Sequence, residues 1–398
     1  PLNGPYLTRC MDPTASGTFV LPPPDRSHRR YNPLTQEWVI VSPTRLQRPW
    51  SGAIEKVSGD QSSKSANSGD TCKENPLAPG ATRPGGIVNP NYTSTYTFKN
   101  DFPALSPRLG ESVDDETVKA DITRGAHPLF AWAPATGECQ VMCFHPRPDL
   151  TLALMTEEDI VKVILEWQRI TRDCVERGFQ WVQIFENRGE IMGCSNPHPH
   201  CQVWASDFLP SLVIRRELSQ RDYFSRSAGK VLLLDYLEQE LQFMARCKES
   251  GAQTHRIVAM NEEWVCLVPW WAVWPFETML LPRRPQIYRL DDLQPHEVSS
   301  LAALLSQVLT CYDNLFKTSC PYSFGWYQTP LQSSKPEEKC YWQLHGLFLP
   351  PLLRSATVKK FMVGYELLAE AQRDLTPEKA AEMLRNAAGV HYLKAGNL

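Results

Sequence analysis

Hydrophobic and polar residues follow two different rhythms along the chain, one typical of strands and one typical of helices. Residues 156–178 carry apolar side chains at helical spacing between a capping Thr156 and a terminating Gly178, which predicts an amphipathic helix. Short alternating segments around it have the character of β-strands, and we expect 129–132 and 140–144 to pair. The predicted strands of the first half span residues 37–41, 93–98, 129–132, 140–144, 181–185 and 200–205.

The second half repeats this succession of strands and helices. Its predicted strands span residues 264–268, 277–281 and 341–349, and its predicted helices span residues 290–316, 360–373 and 377–386. A return to the same order of elements is typical of an internal duplication. The pattern therefore predicts an α+β protein of two related units, residues 31–210 and residues 211–398, which join near Pro210.

Two segments lack the apolar residues that a packed core requires. Residues 1–30 are rich in proline, arginine and small residues, and we expect them to form a flexible arm. Residues 54–74 consist mainly of serine, glycine, lysine and aspartate, which predicts a disordered loop within the first unit.

Composition and charge exclude several classes of protein. The 398 residues are 42% hydrophobic and 21% charged, with a formal net charge of -3, so no basic surface for general nucleic-acid binding is expected. There is no run of about 18 apolar residues and no secretory signal pattern, which argues against a membrane protein. The twelve cysteines lack a CxxC pair, and in a chain of this length they indicate a reducing, cytoplasmic environment.

The most informative segment is the sequence Asn-Pro-His-Pro-His-Cys-Gln at residues 196–202. Side chains alternate along a strand, so His198, His200 and Gln202 are expected on one face, and Cys201 and Val203 on the other. The two prolines fix the backbone and remove two amide donors. The glycines that precede this segment allow the backbone to approach a ligand closely.

A histidine in this setting is a candidate nucleophile, because a neutral imidazole attacks phosphorus readily near pH 7. One ring nitrogen must be held by an acceptor, and a backbone carbonyl of the His-Pro turn is our hypothesis for it. Gln202 and Ser195 can then donate hydrogen bonds to phosphate oxygens. Two histidines alone would suggest metal ligands or core residues, but the full pattern favours His200 as the nucleophile.

These residues resemble the galactose-1-phosphate uridylyltransferase family of the histidine-triad superfamily. The resemblance runs from residue 30 to about residue 391, and its most specific segments are residues 45–50, 100–105, 185–187, 193–202 and 354–366. It implies a duplicated histidine-triad-like fold, with two mostly antiparallel half-barrel sheets flanked by helices. It also implies a homodimer whose active sites are shared between subunits.

The resemblance implies a ping-pong reaction of galactose metabolism, the Leloir pathway. His200 would attack the α-phosphorus of UDP-glucose and release glucose 1-phosphate, and galactose 1-phosphate would then take the uridylyl group and leave as UDP-galactose. Gln202 would bind the phosphoryl oxygens of the covalent intermediate. Hydrolases of the superfamily carry a third histidine at this position, and glutamine cannot act as an acid, so Gln202 favours transfer over hydrolysis.

Further substrate contacts are implied position by position, and each alone has a plainer explanation as a surface charge or an ordinary turn. The implied groups are cations near the phosphates, residues around the uridine, a loop on the phosphate side and a C-terminal sugar-binding segment. They are Arg45, Arg48, Asn100, Asp101, Phe102, Asn187, Gly193, Cys194, Ser195, His198, Lys360, Phe361, Val363, Tyr365, Glu366 and Gln372.

The chain departs from the family at both of the zinc or iron sites that family members carry. At the first site, residues 75–78 replace a CxxC pair, the third ligand falls near Pro148 and only His198 remains. The second site retains only His345, unless Glu217 replaces the missing glutamate; the other positions fall on Arg216, Tyr327 and Leu347. One ligand cannot hold zinc tightly. We therefore expect no bound metal, and the proposed chemistry requires no cofactor.

Two other functions stay open at this point. One is a related nucleotidyl phosphorylase or hydrolase, against which Gln202 and the Asn100-Asp101 pair argue. The other is a catalytically retired protein that binds UDP-sugars, which the lost metal ligands suggest and the intact His200 and Gln202 oppose.

Overall fold

The computed structural model describes residues 26–32, 35, 37–43, 75–108, 128–333 and 335–395, and the structural statements below refer to these residues. Most of the predicted N-terminal arm and all of the predicted 54–74 loop lie outside the described residues. Arg45 and Arg48 lie outside them as well.

Strands and helices follow one another largely as the hydrophobic pattern predicts. The strands are β1 His28–Asn32, β2 Glu37–Val41, β3 Tyr96–Lys99, β4 Trp132–Pro134, β5 Gly137–Cys143, β6 Trp181–Arg188, β7 His200–Ser206, β8 Ile257–Met260, β9 Trp264–Leu267, β10 Thr278–Pro282, β11 Tyr322–Tyr327, β12 His345–Leu349, β13 Leu352–Ser355 and β14 Val358–Lys359. The helices are α1 Glu157–Glu176, α2 Ser211–Arg226, α3 Leu232–Glu249, α4 Pro295–Phe316, α5 Pro336–Lys339, α6 Tyr365–Leu368, α7 Pro377–Asn386 and α8 Tyr392–Ala395.

Nine strands form one antiparallel sheet in the order β3-β5-β7-β6-β11-β12-β10-β9-β8. The pairing of β6 with β11, which we call the seam, runs from Tyr322 opposite Arg188 to Gly325 opposite Phe185. Outward from the seam, β7, β5 and β3 of the first repeat match β12, β10 and β9 of the second. The predicted duplicated α+β fold is therefore confirmed, and the two half-sheets are continuous through the seam.

One face of the sheet is covered by the two long helices, which pack against each other. Helix α1 begins after Thr156, whose side chain accepts a hydrogen bond from the backbone N–H of Asp159, as the capping pattern predicts. Helix α4 begins at Pro295, a position where the missing amide donor does no harm. Trp167 of α1 contacts Trp326 of β11, so the core is shared by both repeats.

The opposite face differs between the repeats. In the second repeat, Leu233 and Leu237 of α3 pack on Val265 and Leu281 and bury this face. Helix α3 does not extend over the first repeat, where the corresponding face carries polar side chains on β6 and β7. Among the described residues, this arrangement leaves one sheet face without a covering helix, which we call the open face, and the histidine motif lies on it.

Two further features concern membrane-spanning helices and the state of the cysteines. No helix in the described part of the chain is both long enough and apolar enough to cross a membrane. The ten cysteines within the described residues are free thiols, and most of them are buried.

Several predictions of local structure were wrong. The predicted helix at 360–373 is limited to the short α6, because Gly364 has a φ of 54° and the apolar residues around it are exposed rather than packed. Segment 129–132 does not pair with 140–144, because β4 pairs with β1 instead. Helices α2 and α3 were not predicted.

Two predicted boundaries, the end of the N-terminal arm and the start of the strand at 341–349, also differ from the structure. The arm does not reach residue 30, because Ser27, His28 and Arg29 are buried and β1 begins at His28. The strand predicted over 341–349 begins only at His345.

A buried polar network lies beneath the seam. Glu186 of β6 accepts a hydrogen bond from the Tyr322 hydroxyl of β11 at 2.9 Å. Arg188 forms an ion pair with Asp313 of α4 at 2.7 Å, and the same carboxylate contacts His391 at 3.1 Å. Burial raises the pKa of Glu186 to about 7, against the opposing effect of Arg188.

Glu186→Gln should therefore change how stability depends on pH. A carboxyl whose pKa rises from its ordinary value to about 7 on folding contributes stability that is fully present near pH 4 and is lost as pH rises to 7. The variant should reduce the difference in unfolding free energy between pH 5 and pH 8 by about 2 kcal/mol, measured by urea denaturation. Glu190→Gln, at an exposed position, is the control, and equal pH dependence in both variants would contradict the prediction.

Candidate active site

Strand β7 presents alternate side chains to the core and to the open face. Cys201 and Val203 are buried in the core, whereas His200, Gln202 and Trp204 are partly exposed on the open face. The predicted alternation is thus confirmed from His200 onward. His200 and Gln202, the predicted nucleophile and phosphate ligand, lie side by side.

The ring of His200 is oriented by its own chain. Its Nδ1 lies 2.7 Å from the carbonyl oxygen of His198, as hypothesised from the His-Pro turn. A carbonyl oxygen only accepts hydrogen bonds, so Nδ1 carries the proton and, in the neutral ring, the lone pair is on Nε2. The contact therefore makes Nε2 the nucleophilic atom.

Two side-chain amides flank this histidine. The Gln202 Oε1 accepts a hydrogen bond from Trp204 Nε1 at 3.2 Å. The Asn187 Oδ1 accepts one from the Ser323 hydroxyl at 2.8 Å. Phe185 lies opposite Gln202 in the β6–β7 register, and two residues further along this register Asn187 comes level with His200.

The loop that leads into β7 depends on two glycines. Gly189 and Gly193 have φ values of 88° and 76°, which other residues adopt only with strain. Between them, Glu190–Met192 forms a 3-10 turn. Cys194 then donates from its Sγ to the Asn196 carbonyl at 3.0 Å, and Ser195 lies between these two residues. The predicted phosphate-side loop is therefore a fixed turn next to His200 in sequence.

The residues predicted to hold uridine lie further along the same sheet. Cys143 is the strand partner of His200, and Cys139 lies four residues before it on β5. The Asn100 amide donates a hydrogen bond to the Cys139 carbonyl oxygen. Asn100 is therefore about 13 Å from His200 along the strand direction. Asn100 Oδ1 accepts the amide N–H of Phe102 at 2.9 Å. Asp101 is paired with Arg83 at 2.9 Å.

Apolar side chains line the sheet between these two ends. Phe98 lies opposite Val141, and Val141 lies opposite Gln202. Tyr96 and Phe98 are stacked at 5.3 Å between ring centroids. The open face therefore offers an aromatic and aliphatic surface between two polar ends, which suits a nucleotide whose phosphates lie at His200.

His198 is not on the open face, contrary to the prediction that it shares a face with His200 and Gln202. It precedes β7 and is fully buried. Its Nδ1 lies 2.8 Å from Asn75 Nδ2 and its Nε2 lies 2.8 Å from the His145 carbonyl oxygen. Burial lowers the pKa of His198. Both ring nitrogens are thus engaged by a neutral hydrogen-bond network.

This network does not fit a zinc site. Asn75 stands where the family implies a cysteine, and its Oδ1 accepts hydrogen bonds from Asn196 and from the Leu77 amide. Within the described residues, the group of three possible ligands close enough for a metal is Glu263, His296 and Glu297, in the second repeat. It does not coincide with either implied metal site.

The second implied metal site contains a stack of side chains instead. The Arg216 guanidinium of α2 lies 4.0 Å from the Tyr327 ring centroid, and Tyr327 is stacked on His345 at 5.2 Å with an interplanar angle of 9°. Burial, together with the charge of Arg216, lowers the pKa of His345 to about 3. A permanent cation beside a single histidine does not fit a metal ion.

The C-terminal residues implied to bind sugar are not brought to His200 within one chain. Lys360 and Glu366 form an ion pair at 2.5 Å. Phe361, Val363 and Tyr365 are exposed by 62%, 60% and 66%, and Gln372 is exposed too. Within the described residues, no hydrogen bond or ion pair is found between this segment and β6 or β7.

Sequence reasoning missed several residues of this region. Trp204 continues the alternation that identified His200 and Gln202, so the same pattern could have found it. Ser323 has no such signal, because it reaches the site from a strand distant in sequence. The resemblance identifies position 75 as a departure from the implied metal site, but not as a hydrogen-bond partner of His198.

Comparisons with known proteins agree with this geometry. The family model "Galactose-1-phosphate uridyl transferase, N-terminal domain" matches residues 21–210, and the corresponding C-terminal model matches residues 216–396. The chain is similar to galactose-1-phosphate uridylyltransferase of Rattus norvegicus, with 50% identity over 92% of this chain and 89% of the relative. It is also similar to that of Haemophilus influenzae, with 46% identity over 94% and 98%.

Solved structures give the same fold. The chain matches a structure described as "Structure of uridylyltransferase" with a TM-score of 0.68 and 24% identity, over 90% of this chain and 98% of that one. It also matches an ADP-glucose phosphorylase from Arabidopsis thaliana with a TM-score of 0.59 and 21% identity, again over 90% and 98%. At these identities the likeness concerns the fold alone.

Proposed function

The chain belongs to the galactose-1-phosphate uridylyltransferase family, and we propose that it transfers UMP from UDP-glucose to galactose 1-phosphate through a uridylyl group on His200. The observation that carries this mechanism is the hydrogen bond from His200 Nδ1 to the His198 carbonyl. It leaves Nε2 as the nucleophile on the one open face of the sheet. The relatives of Rattus norvegicus and Haemophilus influenzae bear the name of this activity.

In the first half-reaction, His200 Nε2 attacks the α-phosphorus of UDP-glucose. The bond from this phosphorus to the bridging oxygen breaks, and glucose 1-phosphate leaves with the electron pair. The Nδ1 proton stays on the ring, where the His198 carbonyl stabilises the positive charge that develops. We assign Gln202, Asn187 and Ser195 to the non-bridging oxygens.

In the second half-reaction, a phosphate oxygen of galactose 1-phosphate attacks the same phosphorus. The phosphorus–nitrogen bond breaks, and its electron pair returns to Nε2.

The role of Gln202 follows from the leaving group of the first half-reaction. A sugar phosphate is a good leaving group without protonation, so the position of Gln202 needs a hydrogen-bond donor and no acid. Without an acid or base aimed at water, the intermediate persists until the second substrate arrives.

Intact mass spectrometry tests this mechanism. UDP-glucose alone should give one uridylyl adduct per chain, located on His200, and galactose 1-phosphate should remove it with formation of UDP-galactose. His200→Ala should form no adduct yet still bind UDP-glucose, and His200→Gly should regain part of the transfer when imidazole is added.

Other outcomes separate the alternatives. An adduct that water removes as fast as galactose 1-phosphate does would identify a hydrolase. UDP-glucose binding without any adduct in the wild-type protein would identify a retired binding protein.

We assign the uridine to Asn100, Asp101 and Phe102, and the sugar to the segment of Lys360, Glu366 and Gln372. Because no hydrogen bond or ion pair joins that segment to β6 or β7 of its own chain within the described residues, we propose that it completes the active site of a second copy. The exposed Phe361, Val363 and Tyr365 support this, since such apolar rows usually mark an interface. Arg45, Arg48, Gly193 and Cys194 remain proposed phosphate contacts.

Mixing two inactive variants tests the shared site. Lys360→Ala and His200→Ala should each lose most activity as homodimers. Heterodimers formed by co-expression carry one intact site of two, so a statistical mixture should recover about a quarter of wild-type activity. Lys335→Ala is a matched control that should behave as wild type. Heterodimers isolated with two affinity tags but without recovered activity would contradict shared sites, and a monomer by sedimentation would contradict the dimer.

We also propose that neither implied metal site binds a metal. Asn75 and the His145 carbonyl satisfy His198, and Arg216 places a fixed positive charge beside His345. Both arrangements replace ligands with hydrogen bonds or a cation–π contact. The reaction derived above uses no metal at any step.

Elemental analysis and a reconstruction test this point together. The wild-type protein should hold no stoichiometric zinc or iron, and a chelator should change neither its melting temperature nor its activity. Combined Arg216→Glu, Tyr327→His and Leu347→His should create a site with His345 and bind about one zinc ion per chain, because positions 327, 345 and 347 share one sheet face. Arg215→Glu in place of Arg216→Glu is the control, and wild-type protein purified with one tightly bound metal would contradict the proposal.

The cellular location and partners of the protein are proposed from its chemistry. The free, mostly buried thiols support a cytosolic location. We propose UDP-sugars and hexose 1-phosphates as its ligands, without nucleic-acid or membrane partners. The division into units at residue 210 also remains a proposal, with Pro210 immediately before α2.

A further inference from the structure

We propose that Trp204 and Ser323 are positioning residues that turn the side-chain amides of Gln202 and Asn187 with their NH2 groups toward the transferred phosphoryl group. The inference rests on the proposed function and extends it to two residues whose side chains bond the amides of Gln202 and Asn187. It concerns which end of each amide faces the reaction.

The orientation of Gln202 follows from the chemistry of its neighbour. An indole N–H can only donate a hydrogen bond, so the atom that lies 3.2 Å from Trp204 Nε1 must be the amide oxygen. The NH2 group then points away from the indole. Because Gln202 and His200 are two residues apart on one face of β7, this leaves a donor beside the histidine.

Trp204 itself is held in place by its surroundings. Its ring meets Phe185 of β6 edge-to-face, with 5.6 Å between centroids and an interplanar angle of 79°. It also packs on Leu105, Ala135 and Cys139. The indole is therefore fixed by both neighbouring strands, and it can fix the amide in turn.

The side-chain amide of Asn187 is also oriented by a hydrogen bond to its oxygen, in this case from β11. The Ser323 hydroxyl donates to Asn187 Oδ1 at 2.8 Å, and Ser323 lies opposite Asn187 across the seam. The Asn187 NH2 group is then directed away from β11. Both amides thus have their oxygens bonded to protein donors, and their NH2 groups remain for phosphate oxygens.

The orientation matters because phosphate oxygens carry negative charge that shifts during transfer. An amide that presents NH2 stabilises this charge, whereas a flipped amide presents a carbonyl oxygen and repels it. The side chain of a glutamine interconverts these two states by a single rotation. The indole N–H of Trp204 can only donate, so it removes the unproductive state of Gln202 before substrate binds. The Ser323 hydroxyl can also accept, so its hydrogen bond to Asn187 Oδ1 favours the productive state of Asn187 less strictly.

Replacement of Trp204 tests the inference. Trp204→Phe, and more strictly replacement by benzothienylalanine, which keeps the bicyclic ring and lacks the N–H, should slow uridylylation of His200 roughly tenfold. KM for UDP-glucose should change less than about twofold, since the loss falls mainly on the transition state. Rapid-quench measurement of the adduct gives both quantities. Ser323→Ala should have a smaller effect of the same kind.

The controls separate this role from a merely structural one. In a Gln202→Ala background the Trp204 replacement should add less than about twofold, because the amide it orients is gone. Trp181→Phe removes a buried indole N–H that has no hydrogen-bond partner within the described residues, and it should leave the rate unchanged.

Two results would overturn the inference. One is a wild-type rate with benzothienylalanine at position 204, and the other is a full additional loss in the Gln202→Ala background. Absence of any adduct in the wild-type protein would instead refute the proposed function, so the two failures are distinguishable.

Discussion

The pairing of β6 with β11 is the contact on which the arrangement of both repeats depends. It joins a four-stranded half and a five-stranded half into one sheet. The two strands approach closely at Gly325, where a Cβ atom would lie 3.0 Å from Gln183 Nε2. On the core face, the seam buries Glu186, Arg188 and their partners. On the open face, it brings Ser323 of the second repeat to Asn187 of the first. The second repeat therefore supports the active site without supplying a nucleophile of its own.

The two repeats show how one local device can lead to different outcomes. His200 Nδ1 contacts the carbonyl of the residue two positions earlier, and so does His345 Nδ1, at 3.0 Å from the Gln343 oxygen. The sheet order makes β7 and β12 equivalent. In the second repeat, however, α2 and α3 cover the face, and Arg216 lies over Tyr327 beside His345. Burial and the neighbouring positive charge lower the pKa of His345, and its side chain is buried, whereas His200 is partly exposed.

The sequence predicted those features that depend on local spacing. The cap and stripe of α1, the alternation along β7 and the oriented ring of His200 each involve residues within a few positions of one another. The predicted helix at 360–373 failed because its apolar residues are exposed within one chain, and periodicity alone does not say which surface an apolar residue meets. The contacts of Ser323 with Asn187 and of Asn75 with His198 could not be predicted from spacing, since each crosses more than 100 residues of sequence.

Loss of the metal ligands is physically compatible with a retained nucleophile. A structural metal would orient the turn before β7 by binding His198, but the turn is already held by the two prolines and by Asn75, which bonds His198 and Asn196 together. The ring of His200 needs from this turn a carbonyl oxygen at the right distance from its Nδ1. A hydrogen-bond network supplies that as well as a metal does, because the carbonyl belongs to the backbone rather than to a ligand. The reaction proposed at His200 therefore does not depend on the implied metal sites, and this chain retains the residues that the reaction uses.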